Sequence, residues 1–254
     1  MTGETPAPPL VLVCRAAEDA RRTTARLRAE GFSTLSAPLI ETRATGEPAP
    51  TGPFDAVLVT SAKAAPFLAR AGLDLARTPI LAVGERTAEA VRDAGGVDVA
   101  TAEGDAVSMI ARVRATFGPG TRFLHVGGRD RKAEPDASLR AGGYAVAAWP
   151  AYEAAPVPLD AAAGAALAAG AVDAVLHYSR RSATLFVEAL VGAGLADHGR
   201  SLLHAAISAD AAEPLRAAGA TRIAVAAEPS EDALLRVFAD AASVAFGARC
   251  RAVR

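Results

Sequence analysis

Short apolar runs alternate with longer amphipathic stretches along the whole chain. The runs are Leu10–Cys14, Ala56–Val59, Ile80–Val83, Arg122–Val126, Ala145–Trp149, Ala174–Tyr178, Ala205–Ile207 and Arg222–Ala226, and Ser33–Ala37 reads as a further strand. Several are apolar at nearly every position, which predicts strands covered on both faces rather than strands with one wet side. Between most of them lie Ala-, Leu- and Arg-rich segments of helical length, such as Asp19–Glu30. Many are closed by a glycine (Gly31, Gly72, Gly95, Gly142, Gly194, Gly219). The alternation predicts an α/β protein with doubly wound, mainly parallel sheets.

The two halves echo each other. Phe54-Asp55-Ala56-Val57-Leu58, with Ser61 just after, matches Val172-Asp173-Ala174-Val175-Leu176, with Ser179 just after. The turn Gly84-Glu85-Arg86-Thr87-Ala88 follows Ala82-Val83, as Ser208-Ala209-Asp210-Ala211-Ala212 follows Ala206-Ile207, and each leads to a glycine, Gly95 or Gly219. A strand ending near Arg15 leads to Gly31-Phe32 and Pro38-Leu39-Ile40-Glu41. Its counterpart ends near Arg129 and leads to Gly143-Tyr144 and Pro150-Ala151-Tyr152-Glu153. Four landmarks in one order imply an internal duplication and two similar lobes. The Pro-containing segments Pro38–Pro53 and Pro150–Pro158 interrupt the rhythm at equivalent places and read as linkers or extended crossovers. Two lobes joined by two connectors predict a ligand cleft between them.

Composition narrows the partners. The net charge is −1, which argues against nucleic acid or an anionic membrane as the main target. Lys63 and Lys132 are the only lysines, so the cations are otherwise arginines, which suit carboxylates and phosphates but also mark an ordinary arginine-rich surface. Cys14 and Cys250 are far apart, and Cys14 sits in an apolar run, so neither a disulfide framework nor a zinc site is expected. The N-terminal segment lacks the pattern of a signal peptide and no apolar stretch approaches a membrane span, which places the expected home in the cytoplasm.

In open parallel sheets ligands bind beyond the carboxyl ends of the strands. Candidate contacts there are Arg15, Thr60, Ser61, Lys63, Gly84, Thr87, Gly127, Gly128, Arg129, Ser179 and Ser208. The hydroxyls serve as helix N-caps, as ligand contacts, or as both. Gly84 allows close backbone approach at a helix N-terminus, where free amides face an anion. Val126-Gly127-Gly128-Arg129-Asp130-Arg131-Lys132 sets three cations behind a double glycine, an anion-binding loop or a solvated one. His125 and His177 lie within apolar runs and read as hydrogen-bonded core histidines. Dinucleotide, P-loop, HExxH and GxSxG signatures do not occur, so no metal or cofactor is implied.

Taken in order, VTSAKA (59–64), AVGERTAEAVRDAG (82–95), GDA (104–106), HVGGRDRK (125–132) and PAYEAAP (150–156) resemble the uroporphyrinogen-III synthase family over about Leu10 to Phe238. The resemblance implies a discontinuous first lobe (1–38 plus 156–254), a second lobe (44–149), and a two-stranded linker (39–43 and 150–155). It also implies a monomer that needs no cofactor. The implied substrate is hydroxymethylbilane, a linear tetrapyrrole polycarboxylate that the enzyme closes with inversion of its last ring. Main-chain amides and hydroxyls at the strand ends would hold the carboxylates, and Tyr152 maps onto the family's usual candidate proton donor. The chain departs from the family at Ser208-Ala209-Asp210, where a Gly and a Thr-Ala pair are common, and at Arg180, where a small residue or proline is common. The alternatives are a catalytically weak tetrapyrrole-binding or regulatory module of the same fold and an unrelated two-lobe binder of small anions. The chain ends soon after its last helix, which favours the enzyme. Arg249, Arg251 and Arg254 read as frayed surface or as a transient contact with the preceding pathway enzyme.

Overall fold

The computed structural model describes residues 7–251 and divides into two compact units, residues 7–41 with 156–251, and residues 42–155. The first contains a five-stranded sheet built from β1 (Leu10–Val13), β2 (Ser33–Ser36), β9 (Ala174–His177), β10 (Leu203–Ala206) and β11 (Ile223–Val225). Its order is β11-β10-β9-β1-β2, and every pair is parallel. Successive residues of β1 feed opposite layers. Val11 and Val13 pack with Leu27 of α1 (Ala17–Ala29) and Leu234 and Phe238 of α9 (Glu231–Phe246), whereas Leu12 packs with Phe186 and Leu190 of α6 (Arg180–Gly192). Burial on both faces is why the strand is apolar throughout.

The second sheet has the order β3-β8-β7-β4-β5-β6, from β3 (Ile40–Ala44), β4 (Ala56–Val59), β5 (Ile80–Ala82), β6 (Val99–Thr101), β7 (Arg122–Gly128) and β8 (Ala145–Pro156). Pairs from β8 to β6 are parallel. Val57 and Val126 face the 3-10 helix Ala62–Ala71 and α2 (Glu85–Asp93). Leu58 and Phe123 face α3 (Ala106–Thr116) and α4 (Asp136–Ala141). Among the described residues no helix is long and apolar enough to cross a membrane.

Without β3, the second order reads β6-β5-β4-β7-β8. It superposes in sequence of connection on β11-β10-β9-β1-β2, with β4 in the place of β9 and β7 in that of β1. The internal repeat is therefore a repeat of topology. The registers refine it, because Val13 pairs with Leu176 and His125 with Leu58, so Arg15 is equivalent to Gly127 rather than to Arg129. The carboxyl-terminal arm of β7 runs three residues further than that of β1.

The echoed aspartates explain themselves here. Asp55 Oδ2 accepts the backbone N–H of Arg122 at 2.9 Å, and Asp173 Oδ2 accepts that of Leu10 at 2.8 Å. Each aspartate precedes the first residue of a central strand and closes on the start of its parallel neighbour. The compensating cation differs. Arg122 supplies its own guanidinium to Asp55 at 2.7 and 3.0 Å, whereas Arg249 of α10 (Ala248–Arg251) reaches Asp173 at 2.6 and 2.8 Å. The carboxyl of Asp55 is held down to about 2, chiefly by the Arg122 guanidinium and then by its amide. Arg249 is thus tied down rather than frayed, and it also donates to the Ala7 carbonyl at 2.9 Å; Arg254 lies outside the described residues.

The two proline-rich connectors are strands. Ile40–Ala44 pairs with β8, and Pro150 lies inside β8. Proline brings no N–H to a ladder, and the β7–β8 register slips at this place, Gly127 facing Pro150 and Gly128 facing Tyr152, so that Ala151 bulges.

Removing the Asp173 carboxylate strands the Leu10 amide and the Arg249 guanidinium together. Asp173→Ala should cost about 2–3 kcal/mol in urea unfolding, a charged hydrogen bond with its partner left unpaired, and Asp173→Asn should cost less. An unchanged midpoint for Asp173→Ala would refute the role given to this clamp.

Candidate functional site

In both sheets the strand order reverses next to the first strand of the repeat, so the crevices favoured for ligands lie between the carboxyl ends of β4 and β7 and of β9 and β1. The expected contacts fall at or beside these ends. In the second unit Thr60, Ser61 and Lys63 follow β4, Gly84 and Thr87 follow β5, Gly127 and Gly128 end β7, and Arg129 follows it. Tyr152 lies on β8 opposite Gly128. In the first unit Arg15 follows β1, Ser179 follows β9 and Ser208 follows β10.

Local geometry sorts them. Ser61, Ser179 and Ser208 are N-caps whose oxygens accept from the amides of Lys63, Ser182 and Ala211 at 3.3, 3.1 and 3.2 Å. A cap uses an oxygen lone pair, so the protons of Ser61 and Ser208 have no acceptor among the described residues. Gly84 is extended, and a Cβ there would come within 3.2 Å of the Gly104 Cα. The two glycines let the β5 turn lie against the Gly104 loop, joined by the Gly104 amide to the Val83 carbonyl at 2.7 Å. Thr87 is buried in the first turn of α2. Glu85, beside Gly84, turns to Arg92 at 2.6 Å.

The cations are less open than the sequence suggests. Arg129 is gripped by Glu153 and by Glu47. Arg131 lies 3.6 Å from Asp136, and Arg15 donates to Glu231 at 2.9 Å while its guanidinium covers the Tyr178 ring at 3.8 Å. Lys63 and Lys132 carry no ion pair among the described residues. The two departures from the family pattern answer each other, for Arg180 pairs with Asp210 at 2.9 Å, and the added negative charge at the α8 (Ala209–Ala217) N-terminus comes with its own counter-ion.

Tyr152 stacks on Phe67 at 5.6 Å, and Gly128 leaves room for its ring, since a Cβ would meet Cε2 at 3.0 Å. Its hydroxyl makes no hydrogen bond among the described residues.

Each crevice also holds a polar cluster that the pattern of residues along the chain did not disclose. In the second unit Thr60 Oγ1 and His125 Nε2 share a hydrogen bond of 3.0 Å, and the opposite nitrogen of His125 donates to Asp136 Oδ1 at 2.5 Å. Burial alone would raise the Asp136 carboxyl, but the His125 hydrogen bond and the charges of His125, Arg131 and Arg140 outweigh it and keep it below its ordinary value. In the first unit Glu231 Oε1 accepts from Thr23 at 2.6 Å, Arg15 at 2.9 Å and Tyr178 at 3.1 Å. Burial pushes the Tyr178 phenol up to about 12, with Glu231 adding to the rise. Glu231 lies below its ordinary value, burial being overcome by the Thr23, Arg15 and Tyr178 contacts. His177 and His204 form a separate buried pair, 3.0 Å apart, and burial holds both well towards the neutral form. No group of three His, Cys, Asp or Glu among the described residues is placed to hold a metal.

A family model described as Uroporphyrinogen-III synthase HemD matches residues 21–236. The chain belongs to the uroporphyrinogen-III synthase family. The match takes in strands of both units, from β2 to β11. Among solved structures, the uroporphyrinogen-III synthetase from Helicobacter pylori 26695 is similar over 91% of this chain and 99% of its own, at 16% identity and a TM-score of 0.57, and shares the fold. Wild-type uroporphyrinogen III synthase from the extremely thermophilic bacterium Thermus thermophilus matches over 93% and 98%, at 21% identity and a TM-score of 0.42. No curated protein matches the chain.

Because Glu231 is held below 4.5, it stabilises the fold above that pH, and the contribution fades as pH falls through the lowered value. Glu231→Gln should unfold earlier in urea at pH 7 and then lose less stability than the parent between about pH 5 and pH 3. Parallel pH profiles for the two proteins would contradict the cluster described here.

Proposed function

We propose that this chain converts hydroxymethylbilane to uroporphyrinogen III, losing the terminal hydroxyl and inverting the last ring before closure. The observation that carries the reading is the family match across residues 21–236, which takes in both strands of the β4–β7 crevice and β9 of the other. The residues at the strand ends suit the task. Helix N-terminal amides beside Ser61, Ser179 and Ser208, the hydroxyl protons of Ser61 and Ser208, and the uncommitted Lys63 are donors for substrate carboxylates. The freed intermediate closes unaided to the symmetric isomer, so the protein's main contribution is to fold the chain and hold the reacting ends, and orientation alone supplies several kcal/mol.

Departure of the hydroxyl needs a proton. Tyr152 is our candidate donor, because its hydroxyl makes no hydrogen bond among the described residues while its ring is fixed between Phe67 and Gly128. Its place on a strand rather than a loop limits its motion. We read Arg129 and Arg15 as supports for their own units, since carboxylates already occupy them.

The direct test gives the purified protein freshly made hydroxymethylbilane and resolves the oxidised products by isomer. Isomer III in excess of the spontaneous isomer I is the expected result, and isomer I alone from folded protein would reject the reading. Tyr152→Phe should slow turnover by about 10²–10⁴-fold, the range of a lost general acid, with isomer III still the product. Unchanged turnover would remove Tyr152 from the mechanism.

A further inference from the structure

The fold does not need a histidine in the middle of β7. The parallel register sets His125 at the position that Val13 holds in β1, and Val13 is wholly buried in the same topology. The second unit instead buries an imidazole and a carboxylate, His125 at 1% and Asp136 at 4% exposure. Groups like these are costly to bury and are tolerated when fully hydrogen-bonded. The resulting chain leads outward, from Asp136 through both nitrogens of His125 to Thr60, the half-buried hydroxyl at the end of β4.

The chemistry of the chain limits which way that hydroxyl points. Asp136, held in its anionic form with Arg131 and Arg140 each 3.6 Å from Oδ2, only accepts, so the proton on Nδ1 is fixed. In a neutral ring Nε2 must then accept the Thr60 proton, which turns the oxygen lone pairs to the crevice. In an imidazolium Nε2 donates, and the Thr60 proton turns outward. Either way the bond to His125 withdraws orientations that a free rotor would sample and fixes the Thr60 oxygen beside Nε2.

We propose that His125 and Asp136 are positioning residues that act through Thr60, fixing its oxygen and restricting the orientations in which its hydroxyl meets the tetrapyrrole. The proposal rests on the synthase reading above. It assigns His125 and Asp136 no contact with substrate, and their effect on turnover passes through the Thr60 oxygen alone.

A double-mutant cycle on kcat/KM for isomer III tests it, with wild type assayed alongside. Thr60→Val and His125→Leu should each lower kcat/KM about tenfold, the scale expected for a misplaced contact, and the double variant should fall no further than Thr60→Val alone. Thr60→Ser should lose less than Thr60→Val. Asp136→Asn, which keeps its volume, is the second arm and should likewise lower kcat/KM in the parent but not in the Thr60→Val background. A purely structural role predicts the opposite, losses in both backgrounds that multiply, and that result overturns the proposal even where isomer III is still made. Isomer I alone from wild type would instead overturn the synthase reading, and this inference with it.

Discussion

A carboxylate at the mouth of one central strand, closed on the first amide of the next, sets the register of each sheet. Asp55 does this for β4 and β7, and Asp173 for β9 and β1. Register is not a detail in such sheets, because a slip of one residue would turn every side chain of the strand to the opposite layer. With β7 shifted by one place, Phe123 and Leu124 would exchange layers and His125 would leave Asp136. Everything at the carboxyl ends depends on this bond at the amino ends.

The two units share a path and differ in what they carry along it. Each sets a hydroxyl where its strand order reverses, Thr60 in one and Tyr178 in the other, and each ties it to a carboxylate. Thr60 reaches Asp136 through an imidazole. Tyr178 reaches Glu231 directly, under the guanidinium of Arg15, in a network of at least four side chains with Thr23. The first arrangement leaves a small hydroxyl at the end of the chain of bonds. The second is a closed junction of α1, β1, β9 and α9, and its phenol, already donating to Glu231, is poorly suited to give up a proton. Duplication supplied the same scaffold twice, and the side chains joined the strand-end hydroxyl to more partners in one crevice than in the other.

Much of the strand pattern was legible in the sequence because buried parallel strands are apolar at every position. β6 escaped, being three half-buried residues at the sheet edge, Val99–Thr101, too short to stand out. β3 and the far half of β8 were legible only through the family resemblance, as a two-stranded linker, because Pro38, Pro48 and Pro150 look like loop residues. Only the bulge at Ala151 lets Pro150 sit within a ladder. The strand-end positions could be listed from topology alone, but their partners could not. Asp136 follows His125 by 11 residues across a turn, and Glu231 follows Arg15 by 216. No local pattern encodes such a pairing, so cations that look available in the sequence turn out to be engaged.

The discontinuous unit has a consequence for the order in which a ribosome delivers its parts. β1 is an interior strand, yet its partner β9 begins more than 160 residues later, as the 163-residue span from Leu10 to Asp173 records. At about 5–20 residues per second that interval lasts on the order of 10–30 s. During it the nascent chain holds a strand whose apolar residues have neighbours only in β2 and α1, while residues 42–155 emerge as a contiguous set and can close their own sheet. The middle of the chain finishes before its beginning. The arriving Asp173, which closes on Leu10 and waits in turn for Arg249, is then the latch that recruits the oldest segment of the protein into its youngest sheet.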